Sequence, residues 1–115
     1  MNILSELKSL LSDINVPIET GVFSKKAQDE YIVLIPLADS YPLNADNTPQ
    51  LDQQEVRISI FTKENYIKLK NSILKKLIMN FFYITDRRYN GFDADTGYYQ
   101  YTIDVAKTYD IEEDN

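Results

Sequence analysis

The residues best placed to do chemistry are the carboxylates of Asp93-Ala94-Asp95-Thr96-Gly97, with Asp104 beyond them. Alternating carboxylates ahead of a glycine resemble the opening of a calcium loop. Here, however, the glycine stands fifth where such a loop places it sixth, and Asp104 rather than glutamate stands twelfth. The segment therefore reads as a plain turn. A magnesium-dependent nuclease built on Asp93, Asp95 and Asp104 is the corresponding catalytic reading, and the rest of the composition weighs against it. The chain has no histidine, which removes the commonest general base and metal ligand, and no cysteine, which removes disulfides and thiolate chemistry. It also has no serine paired with a base, no phosphate-cradling glycine loop and no pair of carboxylates in an apolar setting. The expectation is a protein that is not an enzyme, with no catalytic, cofactor-binding or metal-binding residues.

Charge is the next constraint. Asp and Glu number 18 against 12 Lys and Arg, a formal net charge of -6, which argues against a sequence-independent grip on DNA because that grip depends on neutralising phosphates. Within this acidic chain, Lys63, Lys68, Lys70, Lys75 and Lys76 stand against the lone Glu64 and make one helical stretch basic. Lysines on a solvated helix face are common, and a nucleic-acid patch is a second reading. An electrostatic seam against acidic surface on another copy of the same chain is favoured over DNA. Nine tyrosines and five phenylalanines, many on strand-like segments, add side chains of the type that interfaces favour. No apolar run reaches the roughly 18–20 residues needed to span a bilayer, and the start lacks a basic region and cleavage site. A soluble protein made in a cytoplasm is expected.

These groups must be held by elements that periodicity locates within one domain. Ile3, Leu4, Leu7, Leu10, Leu11 and Ile14 predict an amphipathic helix over 2–14, ended by Asn15 and Pro17. A short extended segment follows at 18–23, then a polar connection over 24–30. Tyr31-Ile32-Val33-Leu34-Ile35 predicts a strand covered on both faces, or on one of them by a partner, and Pro36 pushes its end to a sheet edge. Residues 39–54, with Pro42 and Pro49, read as a long loop or a loop capped by strand extensions, mobile until it meets another chain. The central unit alternates Val56, Ile58 and Ile60 against Arg57, Ser59 and Phe61. At Thr62, the expected N-cap, it changes to helical spacing with Tyr66, Leu69, Ile73 and Leu77, flanked by Ile67, Leu74 and Ile78. Phe81-Phe82-Tyr83-Ile84 begins an extended run ending at Asp86-Arg87-Arg88-Tyr89. The last strand, 98–109, sets Tyr99, Tyr101, Ile103 and Val105 against Gln100, Thr102 and Asp104, before an acidic frayed tail over 109–115. The fold class is α+β: a mostly antiparallel sheet of four to five strands with two helices on one face, in the order α-β-β-β-α-β-β.

Val56-Arg57-Ile58-Ser59-Ile60-Phe61-Thr62-Lys63-Glu64-Asn65-Tyr66, a helix, Asp86-Arg87-Arg88-Tyr89, and Asp93-Ala94-Asp95-Thr96-Gly97-Tyr98-Tyr99 before a final strand together resemble the small tail-completion proteins of bacteriophages and prophages. These are the tail-terminator and neck proteins of long-tailed phages. The resemblance spans roughly residues 30–109 on short motifs. It departs at Tyr99-Gln100, where relatives carry a histidine-containing turn. It implies a structural virion protein that forms a homo-oligomeric ring, usually of six copies, capping the head-proximal end of the tail tube and joining it to the head connector. The implied partners are further copies of the chain, the tail tube protein and the head–tail connector protein, with DNA only passing through the channel and no membrane. The implied locations are the virion tail or neck and the host bacterial cytoplasm where it is made. A head-completion or connector-stopper protein of the same neck is one alternative, and an unrelated cytoplasmic protein-binding module is another. The residues expected at inter-subunit or tube contacts are Tyr41, Leu43, Leu51, Lys68, Lys75, Arg87 and Arg88.

Overall fold

A computed structural model describes residues 2–21, 28–40 and 51–110. The fold is α+β, a five-stranded mixed sheet with two helices. Helix α1 spans Ile3–Leu11 and continues as a 3-10 turn over Ser12–Ile14. Asn2 caps it, its side chain accepting from the Ser5 N–H, and Asn15 ends it in the left-handed conformation at φ 65°. That is the short polar residue most tolerant of such a backbone. The strands are β1 Ile18–Thr20, β2 Glu30–Ser40, β3 Leu51–Thr62, β4 Tyr83–Asp93 and β5 Tyr98–Asp110, with helix α2, Tyr66–Met79, between β3 and β4.

The spatial order is β1-β2-β3-β5-β4. Only β1 runs parallel to its neighbour; every other pair is antiparallel. Both helices lie on one face, over a core of Ile32, Leu34, Val56, Ile58, Ile60, Ile103 and Val105 from the sheet and Leu7, Leu11, Ile73 and Leu77 from the helices. Each fully buried side chain of this kind contributes roughly 1.5–3 kcal/mol. β3 and β5, about 40 Å long at about 3.3 Å per residue, form the spine.

Several expectations from the sequence are corrected. Thr62 does not cap α2: it is fully buried at the end of β3, donating to Glu30 Oε2 at 2.8 Å and accepting from the Glu64 N–H. The cap is Asn65, whose Oδ1 accepts from the N–H groups of Ile67 and Lys68. Thr62 has the right chemistry, but its position in the ladder opposite Glu30 and Tyr99 holds it in the strand. The 39–54 segment takes the second of its two expected forms, strand extensions at its ends: Asp39 and Ser40 pair with Gln54 and Gln53, and Leu51–Gln54 pair with β5. For Gln53 and Gln54 a ladder on both sides satisfies the backbone of residues that carry little strand preference themselves. Residues 41–50 lie outside the described residues. The last strand includes Tyr109, opposite Asp52, and runs one residue beyond the expected 98–109, since Asp110 pairs with Leu51; 111–115 lie outside the described residues. Phe81 and Phe82 precede β4 rather than opening it.

β1 covers β2 only at Ile32, Val33 and Leu34. From Ile35 onward β2 has no second neighbour among the described residues. Pro36, which has no N–H to offer, sits at the start of this free edge beside a register shift between Pro36 and Ala38.

Candidate interaction surface

With both helices on one face, no helix among the described residues covers the other face of the sheet. The residues that point there follow from the pleat: Tyr31, Val33 and Ile35 on β2, Glu55, Arg57, Ser59 and Phe61 on β3, their partners Gln100, Thr102 and Asp104 on β5, and Asp86, Arg88 and Asn90 on β4. They line a trough with two adjoining clefts, one of about 490 Å³ between the Tyr31–Phe61–Tyr98 group and the β4–β5 turn, the other of about 300 Å³ around Arg57, Ser59, Arg88 and Thr102. At one end Tyr31 stacks on Phe61 at 4.7 Å, and Tyr98 stands edge-on to both. The Tyr98 hydroxyl donates to the Gln28 carbonyl, which pins the ring.

In the middle, Arg57 clamps Asp104 with both arms of its guanidinium, Nε to Oδ1 at 2.9 Å and Nη2 to Oδ2 at 3.0 Å. This fork is the strong form of the carboxylate–guanidinium contact. The pairing with Asp104 raises the Arg57 pKa above its ordinary value. Asn90 donates to Thr102 Oγ1, and Arg88 reaches Asp86 at 3.4 Å. Asp104 and Asp86 are paired with Arg57 and Arg88, Lys63 over the Tyr98 ring is offset by Asp29 at 4.0 Å, and Glu55 and Asp93 leave the trough acidic on balance.

The Asp93–Gly97 segment is the β4–β5 turn. Asp93 Oδ1 accepts from the Asp95 N–H at 2.9 Å, the Asp93 carbonyl accepts from the Gly97 N–H, and Gly97 takes φ 83°. Asp104 stands six ladder positions along β5 from Tyr98, the partner of Asp93, or about 20 Å away. Asp93, Asp95 and Asp104 are therefore not gathered around one point, and no group of three potential ligands forms among the described residues.

The helix side has its own polar cluster, which sequence reasoning missed. Glu6 of α1 accepts from Lys107 Nζ at 2.6 Å and from the Tyr109 hydroxyl at 2.7 Å, while Lys107 also donates to the Asn80 carbonyl and lies 4.4 Å over the Phe82 ring. Burial pushes the Glu6 pKa up, but the hydrogen bonds from Lys107 and Tyr109 and the charge of Lys107 outweigh it and leave it below the usual value. Tyr109 is driven far upward by burial and by the Glu6 carboxylate. The residues are some hundred positions apart, so only the β5 alternation, which puts Lys107 and Tyr109 on the face of Val105, hinted at the cluster.

The expected contact residues do not form one patch. Lys68 and Lys75 are exposed on the outer side of α2 and make no ion pair among the described residues. Lys76, by contrast, pairs with Asp13 and Lys70 lies over the Tyr101 ring. Arg88 faces the trough, whereas Arg87, opposite Ile103, is on the helix side. Leu51 is partly exposed at the far end of β3. Tyr41 and Leu43 lie outside the described residues. Exposed apolar side chains that were not among the expected contact residues include Ile78, Met79, Phe81 and Tyr83 at the α2–β4 junction, with Phe81 87 % exposed. Ile67 and Ile78, expected at the margin of the α2 core stripe, face outward.

No protein-family model matches the chain, and no curated protein matches it significantly. No helix among the described residues is long and apolar enough to cross a membrane.

Proposed function

We propose that the chain is a structural subunit of a long-tailed phage or prophage, assembling as a ring that caps the head-proximal end of the tail tube and joins it to the head connector. The reading starts from the sequence resemblance. The observation that carries it further is a subunit whose surfaces, among the described residues, are left incomplete on several sides: a helix-free sheet face, the free edge of β2 beyond Leu34, the outer edge of β4, and apolar side chains exposed at the α2–β4 junction. Free strand edges and exposed apolar groups are liabilities for an isolated protein and normal equipment for one that works by assembly. The acidic balance supports a channel wall past which DNA moves without adhering. The six-fold ring number and the virion location belong to the same proposal.

The test is reconstitution with purified tail tubes, viewed by electron microscopy with the protein labelled. Label at one end of each tube together with arrested tube growth is the expected result. Label on connectors alone would assign the protein to the connector side of the neck, and no binding to either would end the phage reading.

A further inference from the structure

Resting on the ring reading, we infer that the helix-free trough of one copy receives the outer face of helix α2 from a second copy, so that successive subunits pack helix on sheet. Charge is the first argument. The charged side chains of α1, its 3-10 turn and α2 are Lys8, Lys68, Lys70, Lys75 and Lys76 against Glu6 and Asp13, so the helical layer is basic. The trough has the opposite sign, with Glu55, Asp86, Asp93 and Asp104 against Arg57 and Arg88. Among the described residues Lys76 is paired with Asp13 and Lys70 lies over the Tyr101 ring, whereas Lys68 and Lys75 have neither kind of contact and are both on the outward side of α2. Electrostatic complementarity of this kind sets register and partner choice.

Shape and apolar content agree. The outward stripe of α2 is Ile67, Lys68, Asn71, Lys75 and Ile78, spaced to share one helical face, with Ile67 48 % and Ile78 63 % exposed. The helix is about 21 Å long, which the spine of about 40 Å accommodates. In the trough, the half-buried Tyr31, Phe61 and Ile35 offer apolar ground beside the carboxylates. A sheet carrying helices on both faces is a stable layered arrangement, and here the second layer is supplied by a neighbour. The contact joins two different surfaces, so each copy gives one and receives one. Such a heterologous contact propagates until its rotation closes a ring.

The test uses the absence of cysteine. Asn71→Cys and Gln100→Cys place thiols on the outer face of α2 and in the trough, on opposite sides of one subunit, and a short bis-maleimide then links only what assembly brings together. The double variant is expected to give a ladder of trimers and higher multimers, and either single variant is expected to give none. Added to that double variant, Lys68→Glu/Lys75→Glu and Glu55→Lys/Asp86→Lys each cut multimer yield at least about tenfold. Their equimolar mixture restores it, because each altered helix then meets an altered trough. Dimers from Asn71→Cys alone would mean that α2 meets α2 and would overturn the inference. Labelled rings on tubes without the ladder would also overturn it while leaving the ring reading in place. Absence of both rings and ladder removes the two together.

Discussion

Phe81→Gly should stabilise the protein. The carboxyl end of α2 closes with the Phe81 N–H on the Ile78 carbonyl and the Phe82 N–H on the Leu77 carbonyl, both near 3 Å. That pattern places Phe81 at the position where glycine is usual, and Phe81 takes φ 64°. A side chain in this left-handed conformation costs roughly 1–2 kcal/mol. Glycine removes that cost but makes the unfolded chain freer by roughly 0.5–1 kcal/mol. Little packing is lost, because the ring is 87 % exposed. The balance is a gain of about 0.5–1 kcal/mol. At about 2.1 cal/mol/K per residue, 115 residues have an unfolding entropy near 0.24 kcal/mol/K, so Tm rises by about 2–4 °C. Scanning calorimetry on wild type, Phe81→Gly and Phe81→Ala measures it. Phe81→Ala keeps the strain and should leave Tm nearly unchanged. A lower Tm for Phe81→Gly, or an equal rise for Phe81→Ala, refutes the reasoning, since the ring and not the backbone would then matter.

Glu6→Gln should cost about 1.5–3 kcal/mol at neutral pH, the range for hydrogen bonds to a charged group. Because the folded carboxyl titrates below its unfolded value, the stability it adds is present above about pH 4.3 and is lost as pH falls through the folded pKa. Urea unfolding of the two proteins should therefore converge in acid, and a gap that widens there would contradict the assignment. Asn65→Ala should cost about 0.5–2 kcal/mol by removing the α2 cap. If denaturant midpoints instead show no change, the first turn of α2 is held by something other than Asn65.

Local chemistry carried much of the architecture. The 3.6-residue spacing of Leu7, Leu11, Ile73 and Leu77 and the alternation of Val56, Ile58 and Ile60 name core residues, because one buried face per element is enough to set those periods. The mostly antiparallel sheet with two helices follows from them, and the absence of histidine and cysteine is readable from composition alone. Pairing was not readable. Which strand lies beside which, and in what register, depends on contacts between residues far apart in the chain. Tertiary structure alone therefore set Arg57 against Asp104, gathered Glu6, Lys107 and Tyr109, and separated Asp93 from Asp104 by about 20 Å. It also put the α2 cap at Asn65 and not at the expected Thr62, because the ladder to β2 and β5 holds Thr62 in β3. The sidedness of the surface has the same origin: a lysine reads alike on any helix, and only the packing of α2 on the sheet turned Lys68 and Lys75 outward while tying Lys76 to Asp13.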